Sequence, residues 1–248
     1  MLPAVKGFRP MHSGGASLKL VSGRAIGVMI AALLAAAATL AGIEQLRQQS
    51  EGRVTCPQGA GSEVCRFEGT PLRVSGTPVY IGNRQGAFLP TLQEISFVDG
   101  SGRRWIVPPD TLTDGASIPT LFAPLVGDRQ RREYLLAAAL HDAYCGIGNE
   151  ALSTYQSRPW EEVHRMFYDA LLTAGTPPRI AKVMFAAVYL GGPRWNDPAR
   201  ALDMMSDDDL MKEMKQGMDW IERADPGPEE IMDWIKDREA KMREAHAE

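Results

Sequence analysis

The fifteen residues RREYLLAAALHDAYC, 131–145, decide how this chain is read. Leu and Ala dominate them, both strong helix formers, and Gly146 with Gly148 supplies the stop. The stretch predicts a helix whose last turns carry chemistry. His141 stands beside Ala137 and Ala138 of the preceding turn, Asp142 follows it directly, and Cys145 lies one turn on, at i+4. Such polar groups on an apolar helix are either satisfied core residues or the beginning of a site.

Toward the C-terminus the helical text continues. A second helix is expected from near Ser157 or Pro159 through WEEVHRMFYDALLTA to Gly175, with Trp160, Val163, Phe167, Ala170 and Leu171 on one stripe and His164 among them. A third starts after Thr176 as N-cap, with Pro177 in its first turn, and ends at Gly191-Gly192-Pro193. Two amphipathic helices follow, one capped by Ser206 and carrying Leu210, Met214, Met218 and Ile221. The other holds Ile231, Trp234 and Ile235, and Asp225-Pro226-Gly227-Pro228 separates them. Residues 203–248 contain fifteen acids against seven bases and seven of the chain's methionines. Such a Met-rich stripe either packs on its own domain or offers a surface to a partner.

Upstream the text turns to short β-like runs: Leu72–Val74, Val79–Ile81, Glu94–Val98 and Arg104–Val107. The last two, joined by Asp99-Gly100-Ser101-Gly102, predict a hairpin that Pro108 and Pro109 terminate. Loop text follows to about residue 128 and includes Asp114 and Gly115. Cys56 and Cys65 bracket TCPQGAGSEVC, and spacing alone leaves open a small disulfide loop or two thiols.

At the head of the chain, Ala25 to Ile43 is a run of 19 residues without charge. As a helix it spans about 28 Å, close to a bilayer's hydrocarbon core. Lys6, Arg9, Lys19 and Arg24 precede it, so the positive-inside rule places residues 1–24 in the cytoplasm and the body in the periplasm of a bacterium, anchored in the inner membrane by a single pass. A cleaved signal peptide is the alternative and exports the same body. With 27 Lys and Arg against 31 Asp and Glu, a net charge of −4, the chain offers no field for a nucleic-acid backbone.

The expected class is therefore α+β, mostly helical. Its organisation is a basic N-terminus (1–24), a transmembrane anchor or signal peptide (25–47), a linker (48–69), a domain with a small β-hairpin part and a three-helix body (70–202), and an acidic helical tail (203–248). The candidate site is His141 and His164 as catalytic pair, facing each other if the connection between their helices folds back. Asp142 and Asp114 are the candidate metal-holding carboxylates. One chemistry uses an imidazole as general base on water beside a cation held by carboxylate. The other places zinc directly on His141, Cys145 and His164. The bland reading is two hydrogen-bonded core histidines next to an exposed Asp142. No Gly-x-Ser-x-Gly elbow, Walker loop, HExxH or dinucleotide fingerprint offers a competing scheme.

Four strings in order, TDGASIP (113–119), LHDAYC (140–145), VHRMF (163–167) and YLGGPRW (189–195), resemble the landmarks of a phage and bacterial family known as domain of unknown function 1353, over roughly residues 70–196. That resemblance implies no activity. A more distant likeness, to the catalytic helix of phospholipase A2, implies His141 as general base, Asp142 as calcium ligand and the loop at Asp114 and Gly115 as a source of further calcium ligands. Two positions depart from the pattern. His164 stands where both families place an aspartate, and Cys145 where the tyrosine belongs, with Tyr144 one residue early. Glu161 or Asp169 then supplies the missing charge, the site has turned to metal ligation, or it is inactive. The expected function is a metal-assisted ester hydrolase acting on phospholipid or another envelope component, with calcium as first cofactor and zinc as second. The alternative is a non-catalytic, membrane-anchored module that binds an envelope or phage protein.

Overall fold

A computed structural model of the chain describes residues 56–59, 64–82, 86–115, 118–126, 132–200 and 205–247. The basic head, the 19-residue apolar run and most of the 48–69 linker lie outside these residues. Among the described residues no helix is long and apolar enough to cross a membrane.

The architecture is α+β, with about half of the described residues helical. Five short strands come first: β1 (Arg66–Glu68), β2 (Leu89–Pro90), β3 (Ile95–Val98), β4 (Arg104–Val107) and β5 (Leu112–Thr113). Helices follow: α1 (Ala123–Val126), α2 (Arg132–Cys145), α3 (Trp160–Thr173), α4 (Pro178–Gly191), α5 (Asp207–Ala224) and α6 (Pro228–Ala247). The expected hairpin is β3–β4, antiparallel with Phe97 opposite Trp105. Asp99 holds its turn. The fully buried carboxylate accepts the backbone N–H of Ser101 (2.8 Å) and Arg103 (3.0 Å) and the Trp105 indole N–H (2.9 Å). Burial pushes this carboxyl up, but these hydrogen bonds with that of the Ser101 hydroxyl outweigh it and keep Asp99 below the usual carboxylate range.

The hairpin gains a third strand from text read as linker. β1 pairs with β3, in the order β1-β3-β4, immediately after a disulfide joining Cys56 to Cys65. A second, two-stranded sheet pairs β2 with β5 inside what read as loop. The runs at Leu72–Val74 and Val79–Ile81 form no strand; Val74 and Val79 each make a single bridge, to Thr91 and Phe88. Pro71, Gly76 and Pro78 surround them and break the ladder before it can extend.

Ten of the fourteen residues of α2 are buried, Asp142 among them, so the expectation of an exposed Asp142 is corrected. The physical reason is that α2 has no free face: it packs against β3, β4 and β5 and against α3. α3 in turn packs on α4, and α4 carries both tail helices. The apolar stripe of α5 (Leu210, Met214, Ile221) and that of α6 (Ile231, Ile235, Met242) enter the common core. Ser206 caps α5 as expected, accepting the Asp209 N–H at 3.1 Å. Thr176 does not cap α4; Pro177 occupies the cap, and the Thr176 hydroxyl donates to the Glu133 carbonyl of α2 at 2.9 Å. That bond ties the start of α2 to the turn between α3 and α4.

Candidate functional site

The last turns of α2 and the second turn of α3 meet as anticipated. His141 Nε2 and His164 Nδ1 are 2.9 Å apart, and Cys145 Sγ lies 3.4 Å from His141 Nε2. His141 is 2% and His164 0% exposed. A buried imidazole must spend its polar atoms on partners, and here the partners fix the tautomers. His164 Nε2–H donates to the Pro193 carbonyl at 3.2 Å. Its Nδ1 is therefore a lone pair and accepts His141 Nε2–H, which leaves the lone pair of His141 on Nδ1.

Two features hold His164 in this pose. The first is an aromatic wall: Trp160, Tyr189 and Trp195 surround the ring, with centroids 5.5, 6.4 and 6.3 Å away. The second is Gly192, next to Pro193. A Cβ there would meet the Val188 carbonyl and would sit 3.1 Å from His164 Nε2, so only glycine lets the strap after α4 approach the imidazole. Within that wall the Trp160 ring is contacted by the guanidinium groups of Arg194 and Arg200, each 4.8 Å from its centroid. Both arginines bind Glu239 of α6, which is fully buried. The acidic tail thus supports the site from below.

His141, Asp142 and Cys145 open onto a cavity of about 350 Å3 that is also lined by Asp114, Tyr155 and the Gly191–Pro193 strap. Asp114 reaches it because Gly115 turns the loop with φ +102°. Asn149, buried in the connection between α2 and α3, pins β5 to the end of α2. It donates to the Leu112 carbonyl (2.9 Å) and the Asp142 carbonyl (3.0 Å) and accepts the Leu112 N–H (2.8 Å). Tyr144, which takes no part in the cavity, accepts the Ile106 N–H of β4 through its hydroxyl.

The four expected positions are therefore gathered around one cavity: His141, Asp142 and Asp114 on its wall, and His164 directly behind His141. Glu161 and Asp169 are not brought to the histidines. Glu161 reaches Arg200, and Asp169 pairs with Arg165 within α3. Sequence reasoning missed Gly192, Pro193, Asn149 and Glu239. The pair Gly191-Gly192 read as a helix stop, and nothing local in the text DREAK, 237–241, distinguishes Glu239 from its solvated neighbours.

Electrostatically, the centre is neutral. Burial pushes His141 down to about 3 and His164 well below the usual histidine range, the latter helped by His141 and Arg194. Burial, together with the nearby Asp142 carboxylate, pushes the Cys145 thiol well up. Among the described residues, His141, Cys145 and His164 are the one cluster of three potential ligands, with donor atoms all within 4.8 Å of one another.

Comparison with known proteins places these residues in a shared region. The family described as "Protein of unknown function (DUF1353)" matches residues 90–188, which run from β2 into α4 and include Asp114, His141, Asp142, Cys145 and His164. An uncharacterized protein of Sinorhizobium fredii, y4iH, is 42% identical over 102 residues, covering 41% of this chain and 39% of its own length. A second from the same organism, y4jT, is 37% identical over 102 residues, 41% of this chain and 28% of its own. The match thus spans about two fifths of the first relative and under a third of the second. No solved structure shows a significant match.

Proposed function

We propose that this chain is a membrane-anchored, exported hydrolase that cleaves a carboxylic ester in phospholipid or another envelope component with the help of a bound cation. The observation that carries the reading is the hydrogen-bonded His141–His164 pair opening, through His141, onto a cavity that also carries Cys145, Asp142 and Asp114. One imidazole backed by a second, a thiol and two carboxylates around one cavity are groups that water activation can use.

The role of His141 follows from its surroundings. General bases work best with a pKa near the working pH. At about 3, His141 is too weak a base to lead at neutral pH, whereas a neutral imidazole suits a metal. A cation held beside His141 would supply Lewis-acid polarisation of water and of the ester carbonyl, and Asp142 and Asp114, on the same cavity wall, are the carboxylates placed to take up the water's proton. In the reaction water adds to the acyl carbon and the acyl C–O bond breaks. The acid leaves with the water's oxygen, and the proton held by the carboxylate passes to the alcohol.

Export and anchoring rest on the uncharged 19-residue run behind a basic head. The Cys56–Cys65 disulfide supports the same compartment, because such bridges persist where the medium is oxidising. The test is release of labelled fatty acid from phospholipid vesicles by the full chain in detergent. Turnover abolished by a chelator and by His141→Ala, with an unchanged circular dichroism spectrum, is the expected result. Turnover retained in the folded His141→Ala protein overturns the assignment.

A further inference from the structure

We infer that the cation is zinc, held by His141 Nε2, Cys145 Sγ and His164 Nδ1, with the fourth tetrahedral position facing the cavity; this rests on the hydrolase reading only for what the metal does, not for its presence. The geometry is the argument. Zn–N bonds of about 2.0–2.1 Å and Zn–S bonds of about 2.3 Å set donor-to-donor separations of about 3.3–3.6 Å at a tetrahedral ion. Cys145 Sγ is already 3.4 Å from His141 Nε2, and the two imidazole nitrogens, at 2.9 Å, need to part by only a few tenths of an ångström.

The surroundings pre-orient two of the three ligands. His141 and Cys145 lie one helical turn apart on α2, a spacing that puts both donors on one face. His164 Nε2–H is spent on the Pro193 carbonyl, which fixes Nδ1 as the ligating atom in the way that metal-bound histidines are held by an outer partner. When zinc enters, the proton on His141 Nε2 moves to Nδ1 and the thiol of Cys145 leaves as a thiolate, so one proton is released per ion bound.

Donor type decides the metal. Calcium takes six to eight oxygens, and among the described residues two carboxylates, Asp114 and Asp142, line this cavity. Two imidazoles and a thiolate are the donors zinc prefers. Three protein ligands with one position left toward a cavity is the pattern of a catalytic ion, since structural zinc is closed by four. His141 and Cys145 both line the cavity, so that position opens into it.

Metal analysis of the full chain, loaded with zinc and dialysed, is expected to give about one zinc per chain. Cys145→Ser is expected to retain under a tenth of that while keeping its circular dichroism spectrum. Cobalt(II) in place of zinc should produce a sulfur-to-metal charge-transfer band in the near ultraviolet that survives in Asp142→Asn and vanishes in Cys145→Ser. Less than a tenth of an equivalent of zinc in the wild-type chain, or a cobalt spectrum indifferent to Cys145→Ser, overturns the inference. Ester hydrolysis is followed in the same samples. Zinc bound without turnover upholds the metal site and ends the hydrolase reading; turnover by wild-type chain that holds less than a tenth of an equivalent of zinc overturns the zinc site and leaves hydrolysis to another cation.

Discussion

At the scale of single residues, the centre is built to keep two imidazoles uncharged, and that has a pH signature. In the metal-free protein His141 titrates near 3, against about 6.5 for an unfolded histidine, and His164 is displaced in the same direction. The unfolded chain therefore binds more protons below about pH 6.5, and stability falls as pH drops toward 3. The window between pH 7 and 5.5 spans the ordinary histidine range, so the loss there is assigned to the two displaced histidines. A urea midpoint that declines over this range with chelator present, and declines less in His141→Gln, is expected. Gly192→Ala should cost about 1–3 kcal/mol, because its Cβ has no room between Val188 and His164; the denaturant midpoint reads this directly. The pairing of His141 with His164 was legible from two helical stripes, since both periods could be counted. The burial of Asp142 was not, because a helix packed on every side has no solvent face for a period to reveal.

Among the elements, helices were easier to read than strands. α2, α3 and α4 carry long apolar text and Gly or Pro punctuation, and their limits fall within a few residues of expectation. β1 has three residues, Arg66, Phe67 and Glu68, too few to show alternation; only its partner β3 makes it a strand. The nearby Cys56–Cys65 bridge closes a ten-residue loop that leads straight into β1. Loop-closure entropy at that length is worth about 2.7 kcal/mol, with native-state strain able to change it. The double variant Cys56→Ser, Cys65→Ser should lose about 2–3 kcal/mol in chemical denaturation while metal binding by α2 and α3 stays unchanged. A loss of zinc in that variant would mean the first strand and the centre are coupled.

At the scale of the molecule, the acidic tail belongs to the body. Composition could not show this, since fifteen acids and seven bases read equally well as a solvated appendage. What composition hides is Glu239, a buried carboxylate with two arginines on it. Glu239→Ala leaves Arg194 and Arg200 without their anion and should cost about 3–5 kcal/mol, read as a lowered unfolding midpoint. The order in which a ribosome delivers the chain then acquires meaning. His141 and His164 emerge first, but the residue that seats Arg194, and with it the strap against His164, comes 75 residues after His164. A chain broken off before it carries every ligand and yet lacks the brace for them, so competence is withheld until α6 has been made.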